Sequence, residues 1–146
     1  MILHAIFDLD GTLADLTHRL HFIKCDSPDW DSFFKACRDD EPIWPTINTL
    51  HLLYKAGLNI SIVSGRSDIV ETETRTWIKS VAIHAYNLHM RKNGDHRPDY
   101  KIKSELLKNN PQWTTGNTII FDDRTQVVNM WRKEGFTCYQ VATGNF

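Results

Sequence analysis

Four short stretches carry side chains that could do chemistry together. They are FDLDGTLAD, with Asp8, Asp10 and Asp15; VSGR, with Ser64 and Arg66; PDYKIK, with Lys101 and Lys103; and IIFDDR, with Asp122 and Asp123. Asp8 and Asp10 stand two apart in an extended segment, so their side chains leave on the same side. Carboxylates held that close cannot both stay charged without cost unless a cation lies between them or one keeps a proton. A hard divalent ion such as Mg²⁺ meets the need, because it takes one or two carboxylates and completes its shell with waters and phosphate oxygens. Gly11 then allows a turn free of steric restriction. A Ser64 hydroxyl beside turn N–H groups, with the planar fork of Arg66, suits phosphate oxygens. One of the two lysines could neutralise a carboxylate and a bound phosphate together, and Asp122 and Asp123 add a second acidic pair. The chemistry these types suggest is metal-assisted phosphoryl transfer. Each stretch also has a plainer reading: solvated carboxylates at a strand end, Ser64, Ser67 or Asp123 as helix caps, and lysines as surface charges.

These residues need a frame that brings them together. Apolar, β-branched runs at 2–9, 58–64 and 118–121 end in polar or glycine-bearing turns and read as buried strands. A further strand is expected at 136–142 after Gly135, and a weaker one at 82–90. Helical patterns occupy 45–56, 68–80 and 124–134, the first opened by Pro45 and stopped by Gly57. Strands alternating with helices predict an α/β fold, a parallel sheet flanked by helices, with ligands bound outside the carboxyl ends of the strands. The segment 15–42 breaks the alternation. In it Trp30, Phe33, Phe34 and Cys37 fall at helical spacing, which predicts a small helical insert after strand one. Its aromatics pack the insert onto the core or, on the sharper reading, form one wall of the substrate mouth.

The 146 residues fit one domain spanning 1–146, with 41% hydrophobic and 24% charged residues, as in ordinary globular proteins. A formal charge of -1 gives no general attraction to a polyanion, so any nucleic-acid contact must be local. Cys25, Cys37 and Cys138 are odd in number and form no CxxC pair, and are read as reduced, buried thiols of a cytoplasmic protein. No stretch reads as a membrane span or a signal peptide.

The set and its order, DxDGT first, then Ser64, then a lysine, then an acidic pair, resembles the haloacid dehalogenase-type phosphatase superfamily, with its Rossmann-like fold. A phosphoryl-receiver domain uses similar groups in another order, with the acidic pair early. A closer resemblance covers nearly the whole chain. FDLDGTLAD, VSGR, GDHRPDYKIK and FDDRTQVVNMWRKEGFTCYQVATGNF are similar to the 3'-phosphatase domain of phage-type polynucleotide kinase/phosphatases. That resemblance implies Asp8 as nucleophile and Asp10 as general acid/base. It implies Ser64 and Lys103 at the phosphate, Arg19, Arg66 and Arg91 as substrate-binding arginines, and Mg²⁺ held by Asp8, the Asp10 carbonyl, Asp122 and Asp123. The implied substrates are 3'-phosphate ends of DNA or RNA. Kinase activity is not implied, because the chain contains no GxxxxGK[ST] loop. Two other functions are compatible with parts of the pattern: a phosphatase of mononucleotides or other small monoesters, and a non-catalytic phosphate-binding module. The second has no use for both a nucleophile and an acid.

Overall fold

A computed structural model of the chain describes residues 1–144. Asn145 and Phe146, which end the long carboxyl-terminal motif, lie outside the described residues. In chain order the elements are β1 (His4–Phe7), β2 (Ala14–Asp15), α1 (Trp30–Lys35), β3 (Glu41–Pro42), α2 (Trp44–Lys55), β4 (Asn59–Ser67), α3 (Glu71–Ser80), β5 (Asn87–Arg91), α4 (Asp99–Lys108), β6 (Thr118–Asp122), α5 (Thr125–Lys133) and β7 (Thr137–Gln140). Five strands form a parallel sheet in the order β5-β4-β1-β6-β7. β1 lies at its centre, in register with both neighbours, Phe7 against Ile62 and Phe121.

Helices cover both faces, as a parallel sheet requires. One face packs Ala5, Phe7, Ile60 and Ile62 against Ile47 and Leu50 of α2 and Trp77 and Ile78 of α3. The other packs Ile6, Val63 and Ile120 against Val127, Val128 and Trp131 of α5, with Trp113 beside them. Along one face Phe7 stacks on Phe121 at 4.5 Å between centroids, and Phe121 on Tyr139 at 5.2 Å. This locks three neighbouring strands together just below the ends that carry the acidic residues.

The insert is built from 3-10 turns at Thr17–Phe22 and Ala36–Asp39 around α1, closed at its base by the antiparallel pair β2–β3. That pair was not anticipated from the sequence. Phe33 and Cys37 are buried as expected, whereas Trp30 faces solvent. Asp15 ends β2 and accepts a hydrogen bond from the Thr17 backbone N–H at 2.9 Å, opening the first 3-10 turn. The strand expected at 82–90 begins only at Asn87, because a turn with Ala82 at φ +61° precedes it. Helix α4 was also missed. Cys25 is exposed rather than buried, since its loop between the first 3-10 turn and α1 has no core beneath it.

Candidate active site

β1, β4 and β6 run parallel and end at the same edge of the sheet, and the chemistry-bearing side chains sit at or next to those ends. β1 stops at Phe7, after which the chain turns sharply. The Leu9 carbonyl accepts from the N–H groups of Thr12, Leu13 and Ala14, and Gly11 has φ +85°. A Cβ on Gly11 would come within 2.1 Å of an Asp123 oxygen, so only glycine lets this turn approach the second acidic pair. The turn gives Asp8 and Asp10 separate sets of partners, although an extended segment would have aimed both the same way.

Asp8 enters a cluster of acids served by one lysine. Lys103 Nζ donates to Asp8 Oδ1 at 2.7 Å and to Asp122 Oδ2 at 3.0 Å, and lies 3.5 Å from Asp99 Oδ2. Carboxylate oxygens of Asp8, Asp122 and Asp123 lie within 4.8 Å of one another, all three residues being buried. The Thr12 hydroxyl reaches both Asp8 and Asp123. Trp131 Nε1 donates to Asp122 from α5 at 3.4 Å. Asp123 does not cap α5, whose N-cap is Arg124. Burial pushes the Asp8 carboxyl well above the ordinary carboxylate range; Lys103 opposes this, and Asp122 and Asp123 reinforce it. Asp123 is raised too, by burial and then by Asp122. A group of buried oxygen donors with surplus negative charge fits a hard divalent cation such as Mg²⁺.

Asp10 enters a second cluster, in which positive charge is matched to negative. Its Oδ1 accepts from Arg66 Nε at 2.9 Å, Arg66 Nη2 at 2.7 Å and Arg19 Nη2 at 2.7 Å. Both guanidiniums also bind Asp40, Arg19 Nε at 2.8 Å and Arg66 Nη2 at 2.7 Å. Arg19, Arg66 and Asp40 have fully buried side chains, whereas the Asp10 side chain is 23% exposed and opens to solvent. Burial alone would raise the Asp10 carboxyl, but Arg66 and Arg19 outweigh it and hold it below the ordinary range. His18 Nε2 bonds to Asp40 at 2.8 Å on the solvent side, and the Trp77 indole donates to the Asp40 carbonyl at 2.7 Å.

The remaining residues frame these clusters. Ser64 is buried, and its hydroxyl accepts from the Arg66 N–H at 3.1 Å. Arg91 donates from Nε to the Gly65 carbonyl at 2.8 Å and from Nη1 to the carbonyls of Asp95 and Arg97. All three arginines singled out as substrate contacts therefore have donors engaged within the protein. Lys103 turns inward from α4 while Lys101 is exposed, which separates the two lysines.

Four contributors escaped the sequence reading: Asp40, Asp99, Thr12 and His18. Asp99 had a local signal, since it stands four residues before Lys103 on one helix face. Its carboxylate crowds Gly65, where a Cβ would meet Asp99 Oδ1 at 2.6 Å. Asp40 had none, because its partners Arg19 and Arg66 are 21 and 26 residues away.

Residues 4–146 match the model of the polynucleotide kinase PNKP phosphatase domain. The chain belongs to that family. It is a phosphatase, a phosphoric monoester hydrolase of haloacid dehalogenase type. It is 34% identical over 126 residues to a protein of Autographa californica nuclear polyhedrosis virus named as a bifunctional polynucleotide kinase/RNA ligase, covering 86% of this chain and 17% of the viral one. Among solved structures it superposes on a chain of a Pnkp1/Rnl/Hen1 complex with a TM-score of 0.83 and 28% identity, covering 100% of this chain and 47% of the other. A haloacid dehalogenase-like hydrolase from Streptococcus pneumoniae shares the fold, with a TM-score of 0.64, 15% identity, and 99% and 94% of the two chains covered. The phosphatase thus spans less than half the length of the viral protein and of the Pnkp1/Rnl/Hen1 chain. No helix among its described residues is long and apolar enough to cross a membrane.

Proposed function

We propose that this phosphatase removes 3'-phosphates from polynucleotide ends with Mg²⁺ as cofactor, through an aspartyl-phosphate on Asp8. One observation carries the chemistry: the Asp8 carboxylate shares the Lys103 ammonium with Asp122 and lies within 4.8 Å of Asp122 and Asp123 oxygens, while Asp10, two residues on, is held by two arginines. The preference for 3'-ends is supported by the likeness of GDHRPDYKIK and the carboxyl-terminal motif to 3'-phosphatase domains. Three free cysteines suit a reducing cytoplasm.

In the first step an Asp8 oxygen attacks phosphorus, the bond from phosphorus to the leaving oxygen breaks, and Asp10 gives that oxygen a proton. In the second, water attacks the aspartyl-phosphate, Asp10 takes the water's proton, and the Asp8 carboxylate leaves with release of inorganic phosphate. The arginines favour ionised Asp10 in the free enzyme. The negative charge of a bound phosphate dianion raises the nearby carboxyl toward the protonated form needed for step one. Ser64, the N–H groups of its turn and Lys103 receive the phosphoryl oxygens, where preorganised donors act most strongly. Arg19 and Arg66 act on the reaction by holding Asp10, and Arg91 by holding the Gly65 turn. Asp8, Asp122 and Asp123 would hold Mg²⁺, which when bound offsets repulsion between nucleophile and phosphate.

The test compares 3'-phosphorylated oligonucleotides, 5'-phosphorylated oligonucleotides and mononucleotides, each with Mg²⁺ and with chelator. The expected result is Mg²⁺-dependent release from 3'-ends at the highest kcat/KM. A wide preference for mononucleotides would replace this reading with that of a small-monoester phosphatase.

A further inference from the structure

Trp30 is an aromatic side chain that the fold leaves outside the core. It stands at the first position of α1 and is 53% exposed, three residues before Phe33, which the helix turns into the core. It is nevertheless held in place. Asp29 caps the helix, accepting from the Ser32 N–H at 3.0 Å and the Ser32 hydroxyl at 2.6 Å, and its own N–H donates to the Phe22 carbonyl at 2.8 Å. The Trp30 ring meets Phe33 edge-on at 5.7 Å and Phe34 at a tilt at 6.1 Å. Phe33 in turn lies under Arg19, whose guanidinium is 4.4 Å from the ring centroid and donates to Asp10 at 2.7 Å. A chain of side-chain contacts, edge-on from Trp30 to Phe33 and face-on from Phe33 to Arg19, thus links the exposed indole through the insert to the Asp10 carboxylate.

We infer that Trp30 is the platform on which the terminal nucleobase of the phosphorylated end stacks, an inference that rests on the polynucleotide reading above. A pre-packed, half-exposed indole loses little entropy on binding, and every base offers a π face, so the contact tolerates sequence. It also supplies what a chain of net charge -1 lacks, a grip on nucleic acid that does not depend on a broad positive surface. The apolar ring binds the base while the acidic and basic clusters bind its phosphate.

The experiment uses the full chain with Mg²⁺, comparing wild type, Trp30→Ala and Trp30→Phe. Substrates are a 3'-phosphorylated oligonucleotide, the same strand with an abasic terminal residue, and p-nitrophenyl phosphate. Trp30→Ala is expected to raise the oligonucleotide KM relative to that for p-nitrophenyl phosphate by about 5- to 150-fold, the range for one stacked base. Trp30→Phe should recover most of this. Loss of the terminal base should weaken wild type and leave Trp30→Ala with no further loss. Equal effects of Trp30→Ala on both phosphates, or equal cost of base removal in wild type and variant, overturn the platform. Wild type that acts on p-nitrophenyl phosphate but not on 3'-phosphorylated ends overturns the polynucleotide reading, and the platform falls with it.

Discussion

At the scale of single residues, the two aspartates of FDLDGT have opposite electrostatic settings. Asp8 sits among acids that favour its protonated form, and Asp10 among arginines that favour its charged form. In the free protein these settings are the reverse of the proposed roles, since a nucleophile must be ionised and an acid protonated; a cation at Asp8 and a phosphate beside Asp10 would each have to move its carboxyl the other way. Asp40 makes the second setting possible, because it matches the charge of two fully buried guanidiniums that Asp10 alone would leave half-compensated. Asp40→Asn should therefore destabilise the protein by about 3–5 kcal/mol, the cost of breaking a buried ion pair. Urea unfolding measures it, and a loss below about 1 kcal/mol would show that Asp40 carries no such load. The pairing of Asp40 with distant arginines was not legible in the sequence, since nothing local marks one acid of DDEP as buried. Asp122 was legible, because an acid closing the apolar run IIF has no cap role to explain it, whereas Asp123 also had the plainer reading of a helix cap, a position the structure gives to Arg124.

At the scale of elements, β1, β4 and β6 were readable from their apolar runs, and with them the edge where the site lies. Helix α4 was not, because its ten residues are mostly polar and bury chiefly Ile102 and Lys103. Its inward stripe of Tyr100, Ile102, Leu106 and Leu107 is interrupted by Lys103, which weakens the apolar period that marks a helix in sequence. The turn after β1 shows the same limit. Its glycine was legible, but its proximity to Asp123 came from a chain contact over a hundred residues away. Gly11→Ala should bring a Cβ against Asp123 in a backbone conformation that L-residues resist, at a cost of at least about 1 kcal/mol. Thermal unfolding and turnover together should show lower stability and a weakened response to Mg²⁺. A variant with unaltered Mg²⁺ dependence would mean that the turn can move without disturbing the acidic cluster.

At the scale of the whole molecule, the acidic cluster links stability to pH and to metal. Unfolded, Asp8 and Asp123 ionise in the ordinary carboxylate range; folded without metal, they keep their protons to higher pH. The unfolded state therefore binds fewer protons through this interval. Stability contributed by these two groups falls as pH rises from the ordinary carboxylate range through their raised values. Mg²⁺ must displace those protons, so the rise in Tm on adding Mg²⁺ should grow with pH over the same window. A Tm gain that is the same at acid and neutral pH would place the cation elsewhere. Substituting Asp8 by Asn should remove most of the gain and all of the turnover while the circular dichroism spectrum stays that of the folded chain.

The covalent step is the centre of the account, and it can be observed directly. Wild-type protein, mixed with Mg²⁺ and a 3'-phosphorylated oligonucleotide and quenched in acid within the first turnover, is digested and its peptides are weighed. The predicted result is one phosphoryl group on the peptide carrying Asp8, absent from Asp8→Asn. Phosphate released with no phosphorylated peptide at any time point, or a phosphoryl group on another residue, would contradict it.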